Sequence, residues 1–204
     1  MKWVRDLYDW VLKWSDSKYG VWALVLLAFA EASFFPIPPD VLLIALALGA
    51  RSKALRFGLL CSLGSIGGAI LGYSIGQLLW WNGTGSFSGM AQFFFNVIPG
   101  FTHDIFYVIQ DKYEVWNFWI VFTAGFTPIP FKVFTITAGA FDINFAMFII
   151  ASTISRSARF LLVSGLIWKY GEPIRGFIDK YFNKLAILFT TFLIGGFLLI
   201  KYMV

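Results

Sequence analysis

The chain has 204 residues, of which 59% are hydrophobic and 13% charged, against about 25% charged in soluble domains. Long apolar runs with so few charges place it among membrane proteins. The net charge of +5 is small and dispersed, which gives nucleic acid no footing and fits contact with anionic lipid. Cys61 is the only cysteine, so no internal disulfide is possible.

Residues 1–17 read as an amphipathic helix. Trp3, Leu7, Trp10, Val11 and Trp14 recur at helical spacing, with Lys2, Arg5, Asp6, Asp9, Lys13 and Asp16 between them. A tryptophan face opposite charges predicts a helix lying in the membrane interface. No secretory signal is expected, because charges crowd this segment and it has no apolar core.

Residues 18–50 are apolar apart from their first residue, Glu31 and Asp40, and "EASFFPIPPD" interrupts them. Proline removes a backbone donor and clashes with the preceding turn. It also pushes the residue before it toward extended backbone. Pro36, Pro38 and Pro39 therefore predict a broken helix. The arm after the break, 41–50, is too short at about 1.5 Å per residue to cross a core of about 30 Å. The expectation is a re-entrant hairpin that enters and leaves on one side.

Residues 57–80 are long enough for one full crossing. Gly64, Gly68, Gly72 and Gly76 form a smooth stripe on that helix, read as a close-packing face. Residues 81–114 read as a connecting segment. It opens with the flexible "WNGTGSFSG" and ends at a water interface marked by His103, Asp104, Asp111, Lys112 and Glu114. His103 has no partner cluster, so no metal and no cofactor are expected. Residues 115–141 read as a second hairpin, broken at Pro128 and Pro130. Residues 143–168 make another crossing, which carries Arg156 and Arg159. A charged link leads to a last helix at 185–203, bringing the expected full crossings to about three.

The two hairpins repeat one another. Lys18-Tyr19-x-Val21-Trp22 answers Lys112-Tyr113-x-Val115-Trp116, and Pro36-Ile37-Pro38 answers Pro128-Ile129-Pro130. The small-residue patches Leu48-Gly49-Ala50 and Ala138-Gly139-Ala140 follow in the same order. Open backbone at membrane depth is tolerated only where protein or a wet cavity covers it. Paired broken segments in two halves point to a site near the midplane. The basic links at 51–56 and 169–184 predict cytoplasmic loops, and the acidic-leaning 103–114 predicts an external one. The N-terminus is then cytoplasmic, and the hairpins enter from opposite faces. The fold class expected is an all-α polytopic membrane protein built on an inverted repeat.

Five ionisable residues fall at membrane depth: Glu31, Asp40, Lys132, Arg156 and Arg159. Each costs at least about 2.5–3.5 kcal/mol to insert at the bilayer centre. Buried carboxylates without a fixed cation take up and release protons, so Glu31 and Asp40 are candidates for proton coupling or gating. Lys132 follows the second break where Asp40 follows the first. Arg156 and Arg159 share one helical face, and guanidinium groups bind phosphate bidentately. Lys132, Arg156 and Arg159 are therefore the candidate phosphate-binding set. The bland alternative is a set of internal ion pairs that only holds the hairpins together.

Glu31 with Pro36, Pro39 and Asp40, then Gly72-Tyr73-x-x-Gly76, then "FTPIPFKVFTITAGAF" together resemble the DedA superfamily, also called the SNARE-associated or VTT-domain family. The resemblance covers residues 18–170 and is most specific in the second hairpin, where it is similar to the YqaA-like branch. It implies an integral membrane protein with two opposed re-entrant hairpins that moves lipid phosphates. Bacterial members include undecaprenyl-phosphate flippases and proteins dependent on proton motive force, and eukaryotic relatives scramble phospholipids. It also implies a functional role for Glu31 and Asp40. The chain departs from many bacterial members at Gly125 and Phe131, where those carry arginines, and Lys132 is the nearest cation.

The function expected is translocation of a lipid phosphate, undecaprenyl-phosphate or phospholipid, in a bacterial inner membrane. The anionic headgroup and protons are the expected partners. An energy-independent scramblase and a structural or assembly protein with an inert polar core are the alternatives. With no nucleophile–base pair and no metal-ligand cluster in the sequence, an intramembrane enzyme ranks below them.

Overall fold

The computed structural model describes residues 19–171 except 36, 84 and 128. The expected interfacial helix at 1–17, the expected last helix at 185–203 and the breaking residues Pro36 and Pro128 lie outside the described residues. Every regular element described is helical. In chain order they are α1 (Gly20–Ser33), α2 (Asp40–Gly49), a 3-10 turn (Arg51–Lys53), α3 (Ala54–Trp80), α4 (Gly89–Val97), α5 (His103–Phe126), α6 (Phe131–Ala140) and α7 (Phe145–Tyr170). Two stretches, Arg51–Trp80 and Phe145–Tyr170, are long and apolar enough to cross a membrane.

The proline clusters break the chain as their chemistry requires. At the end of α1 the amides of Phe34 and Phe35 both donate to the Ala30 carbonyl, at 2.8 and 2.7 Å. Pro39 then stands at the N-cap of α2, and Pro130 stands at the N-cap of α6. A proline costs nothing there, since the first amides of a helix have no intrahelical acceptor. The second arms α2 and α6 have 10 residues each, which is about 15 Å of helix.

The segment 81–114 is more ordered than a flexible link. Trp81 bridges to Phe87, and the Ser86 amide donates to the Asn82 side chain at 3.0 Å. Ser88 caps α4 by accepting from the Ala91 amide. Thr102 caps α5 by accepting from the Ile105 amide. Because nothing between His103 and Phe126 interrupts the helix, α5 runs for 24 residues. The first arm of the second hairpin thus starts well before residue 115 and outreaches the 14 residues of α1. His103 is exposed and lies against the ring of Phe95, with centroids 4.2 Å apart.

α3 is the spine, and its glycine stripe is shared between the hairpins. A Cβ at Gly64 would come within 2.5 Å of the Val25 carbonyl, and one at Gly68 would strike that of Phe29. A turn further on, a Cβ at Gly72 would strike the Thr135 hydroxyl of α6, and one at Gly76 the Ile136 carbonyl. Gly139 of α6 returns the contact against the Tyr73 carbonyl. Two hydrophobic cores result. One joins Leu24, Leu42, Leu43, Phe57 and Phe160 under the first hairpin. The other joins Tyr73, Val121, Phe131 and Phe148 under the second.

The two ends of α3 face different partners. At its start, Arg51 donates to the Trp168 and Lys169 carbonyls at 2.8 and 2.6 Å, which caps the C-terminus of α7 with a cation. At its far end, Tyr73 donates to the Ile143 carbonyl at 2.7 Å and Trp81 to the Ala140 carbonyl at 3.0 Å. α3 and α7 are therefore antiparallel, and the two hairpins open toward opposite ends of α3. The outer faces carry Leu59, Leu63 and Ile70 on α3, Trp116 and Trp119 on α5, and Ile150 and Leu162 on α7, all exposed.

Enlarging the stripe should be more harmful than enlarging an open glycine. Gly68→Val and Gly76→Val push a side chain into backbone atoms, so a loss of at least the 1–3 kcal/mol typical of overpacking is expected. Gly49→Val, with nothing within 4 Å of its added Cβ, should leave the fold intact. The monodisperse fraction and melting temperature of purified variants check this, and equal loss at Gly49 would contradict it.

Candidate functional site

Five polar or charged side chains converge at the two breaks. Glu31 lies on the last turn of α1, and Asp40 is the first residue of α2, where the helix dipole favours a carboxylate. Ser65 lies on α3 between two glycines of the stripe. Arg156 and Arg159 lie near the middle of α7, one turn apart on one face. All five are buried.

The arginines reach across to the first hairpin. Arg156 donates through Nη2 to Glu31 Oε2 at 2.5 Å and through Nε to Ser65 Oγ at 2.7 Å. Its guanidinium also sits over the rings of Phe131 and Phe160, 4.9 and 4.6 Å from their centroids. Arg159 meets Asp40 Oδ1 with Nη2 at 3.0 Å and with Nε at 3.1 Å. It also donates from Nη1 to the Phe126 carbonyl at 3.0 Å, at the end of α5. Each arginine therefore ties both breaks together: Arg156 through Glu31 and Phe131, Arg159 through Asp40 and Phe126.

The hairpins also touch directly. Thr135 of α6 donates to the Ala32 carbonyl of α1 at 2.8 Å. Ala32 is in the last turn of α1, where carbonyls lose their intrahelical donors. The second hairpin thus satisfies open backbone at the first break.

Of the candidate phosphate-binding set, the structure brings Arg156 and Arg159 together but does not bring Lys132 to them. Lys132 is half-buried in the first turn of α6 and forms no ion pair among the described residues. The matched charges of the repeat, Asp40 and Lys132, do not pair; Asp40 is taken by Arg159. The helix face explains this, since Phe131 turns inward against Arg156 and directs its neighbour elsewhere. The carboxylates also do not lack a fixed cation, as the sequence reading supposed, because each has its own arginine.

Ser65, Thr135, Phe131 and Phe160 are members of the site that sequence reasoning missed. Ser65 had a signal, as a hydroxyl between glycines of a close-packing stripe. Thr135 and the two phenylalanines had none. The hydroxyl of Ser152, one turn before Arg156, is fully buried and has no hydrogen-bond partner among the described residues. No group of three or more potential metal ligands occurs among the described residues.

Breaking one buried pair should cost more than removing it whole. Arg156→Met leaves Glu31 uncompensated, for which about 3–5 kcal/mol is expected. The double variant Glu31→Met with Arg156→Met should recover most of that loss. A double variant no better folded than the worse single, by melting temperature and folded yield, would mean the pair is not coupled.

No family model matches the chain, and no solved structure matches it. An uncharacterized protein of Haemophilus influenzae is 36% identical over 182 residues, covering 88% of each chain. A Histophilus somni protein described as an uncharacterized HI0703 homolog is 35% identical over 190 residues, covering 88% of this chain and 91% of its own. At that identity and coverage, the chain belongs to the same family as these two bacterial proteins.

Proposed function

We propose that the protein is an integral membrane protein of the DedA type and moves a lipid phosphate across a bacterial inner membrane. In this reading the two hairpins are re-entrant and their breaks lie near the bilayer midplane. The N-terminus is cytoplasmic, the protein is a transporter rather than an enzyme, and its partner is the anionic headgroup.

The observation that carries this reading is the set of buried arginine–carboxylate pairs at the helix breaks. Charges cost several kcal/mol at membrane depth and mark pathways there. A guanidinium that holds a carboxylate also holds a phosphate, with the same planar array of donors. An arriving headgroup phosphate would replace Asp40 on Arg159, the less deeply buried pair. Asp40, released, then takes a proton or turns toward Lys132. Lys132 adds positive charge that no carboxylate of the described residues neutralises. The unpartnered Ser152 hydroxyl on the Arg156 face adds a donor. The exposed leucines and tryptophans of α3, α5 and α7 suit a lipid surround for the acyl chains.

The same pairs would also suit an inert polar core, and Lys132 separates the two readings. Lys132→Met removes no ion pair, so it should fold as wild type. In proteoliposomes carrying a fluorescent phospholipid or a short polyprenyl phosphate, it should slow headgroup movement about tenfold. An imposed pH gradient distinguishes coupled transport, which accumulates lipid in one leaflet, from scrambling, which does not. Folded wild-type protein that moves neither lipid would defeat the proposal.

A further inference from the structure

A second polar site lies away from the breaks. Gln77, Trp81 and Asn82 at the end of α3, Tyr107 and Gln110 of α5, and Asp142 line a cleft of about 440 Å³. It sits about 18 Å along α3 from Ser65.

Asp142 occupies an unusual backbone position. Its amide donates to the Gly139 carbonyl at 3.1 Å, and the Ile143 amide donates to the Ala138 carbonyl at 3.0 Å. These two bonds form the Schellman cap of α6, whose left-handed residue is by default glycine. Asp142 has φ +49° and is the one non-glycine residue with positive φ among the described residues. The cap needs no side chain, so the reason for a carboxylate has to be sought in what that carboxylate faces.

Each side-chain amide and indole nitrogen around it already bonds a protein acceptor. Gln77 Nε2 donates to Asp142 Oδ1 at 3.0 Å, and Gln110 Nε2 donates to the Phe141 carbonyl at 2.5 Å. Trp81 Nε1 donates to the Ala140 carbonyl at 3.0 Å, and Asn82 Nδ2 to Ser86 Oγ at 2.7 Å. Gln77 and Gln110 each keep a second N–H, and their amide oxygens remain as acceptors beside the carboxylate. Asp142 is exposed and pairs with no lysine or arginine among the described residues. The lining is therefore one carboxylate, amide acceptors, and the aromatic rings of Trp81 and Tyr107.

We propose that this cleft binds a primary ammonium group. An ammonium has three donors and no acceptor, which complements an acceptor-rich lining. Its charge is matched by Asp142 and by aromatic faces, which attract cations. An anionic group would meet the carboxylate unscreened. The ammonium is supplied either by an ethanolamine lipid headgroup or by a free amine in solution. The proposal does not rest on the translocation reading, since it concerns binding at a separate site.

The test uses the full-length protein in two arms. Calorimetric titration with ethanolamine is compared with ethylene glycol, which puts a hydroxyl in place of the ammonium. Mass spectrometry then measures lipid retained from nanodiscs of mixed phosphatidylethanolamine and phosphatidylglycerol. Preference for ethanolamine over the glycol identifies a soluble amine; selective retention of phosphatidylethanolamine alone identifies the headgroup. In the responding arm, Asp142→Asn, which keeps the left-handed backbone and the Gln77 bond, should weaken binding at least tenfold. Asp142→Gly should melt no lower than wild type and lose binding equally. No ammonium preference in either arm, or wild-type binding by Asp142→Asn, overturns the proposal.

Discussion

Everything else in this structure depends on two arginines, one turn apart on α7, holding the carboxylates on either side of a broken helix. Glu31 and Asp40 are separated by a stretch with three prolines, which cannot continue a helix. Arg156 and Arg159 hold them at a fixed separation, because one helical turn sets the distance between the guanidinium groups. The break is thereby clamped rather than left open. The second hairpin is fastened to the same clamp, through the Phe131 ring over Arg156 and the Phe126 carbonyl on Arg159.

The clamp and the glycine stripe act together. The stripe on α3 lets α1 and α6 approach to backbone contact, which brings Ser65 to Arg156 and Thr135 to Ala32. Without that approach the guanidinium groups would not span the gap. Without the charges, two short arms with polar backbone ends would have little to fix their register. Buried ion pairs are weak evidence for stability in themselves, since desolvation offsets the attraction. Here they have a second consequence: two buried guanidinium groups sit where the chain is broken, which is the placement the proposed exchange of carboxylate for phosphate requires.

Much of this was legible in the sequence. The prolines located both breaks, because proline's missing donor and fixed φ act locally. The glycines at every fourth position marked one face of α3, because helical period alone aligns them. The three-residue spacing of Arg156 and Arg159 placed them on one face for the same reason. The partner of each charge was not legible. Asp40 and Lys132 match in the repeat but do not meet, since tertiary approach, and not alignment, decides contact. The extent of α5 was also hidden. Charges at 104, 111, 112 and 114 suggested a loop, but on one exposed side of a helix they are equally at home. The cleft at Asp142 was hidden because a helix cap there is ordinarily glycine, and no local pattern announces an exception.

Arg156 should hold Glu31, and Arg159 should hold Asp40, in the protein's native surroundings. Rotational-echo solid-state NMR of the full chain in lipid bilayers measures this directly, with nitrogen-15 in arginine and carbon-13 in the side-chain carboxylates. Difference spectra against Glu31→Gln and Asp40→Asn isolate the two contacts. Two guanidinium–carboxylate distances of about 3.5–4 Å are expected, from a hydrogen bond meeting a carbon–oxygen bond at an angle. Difference spectra showing no dephasing from either carboxylate would contradict this pairing.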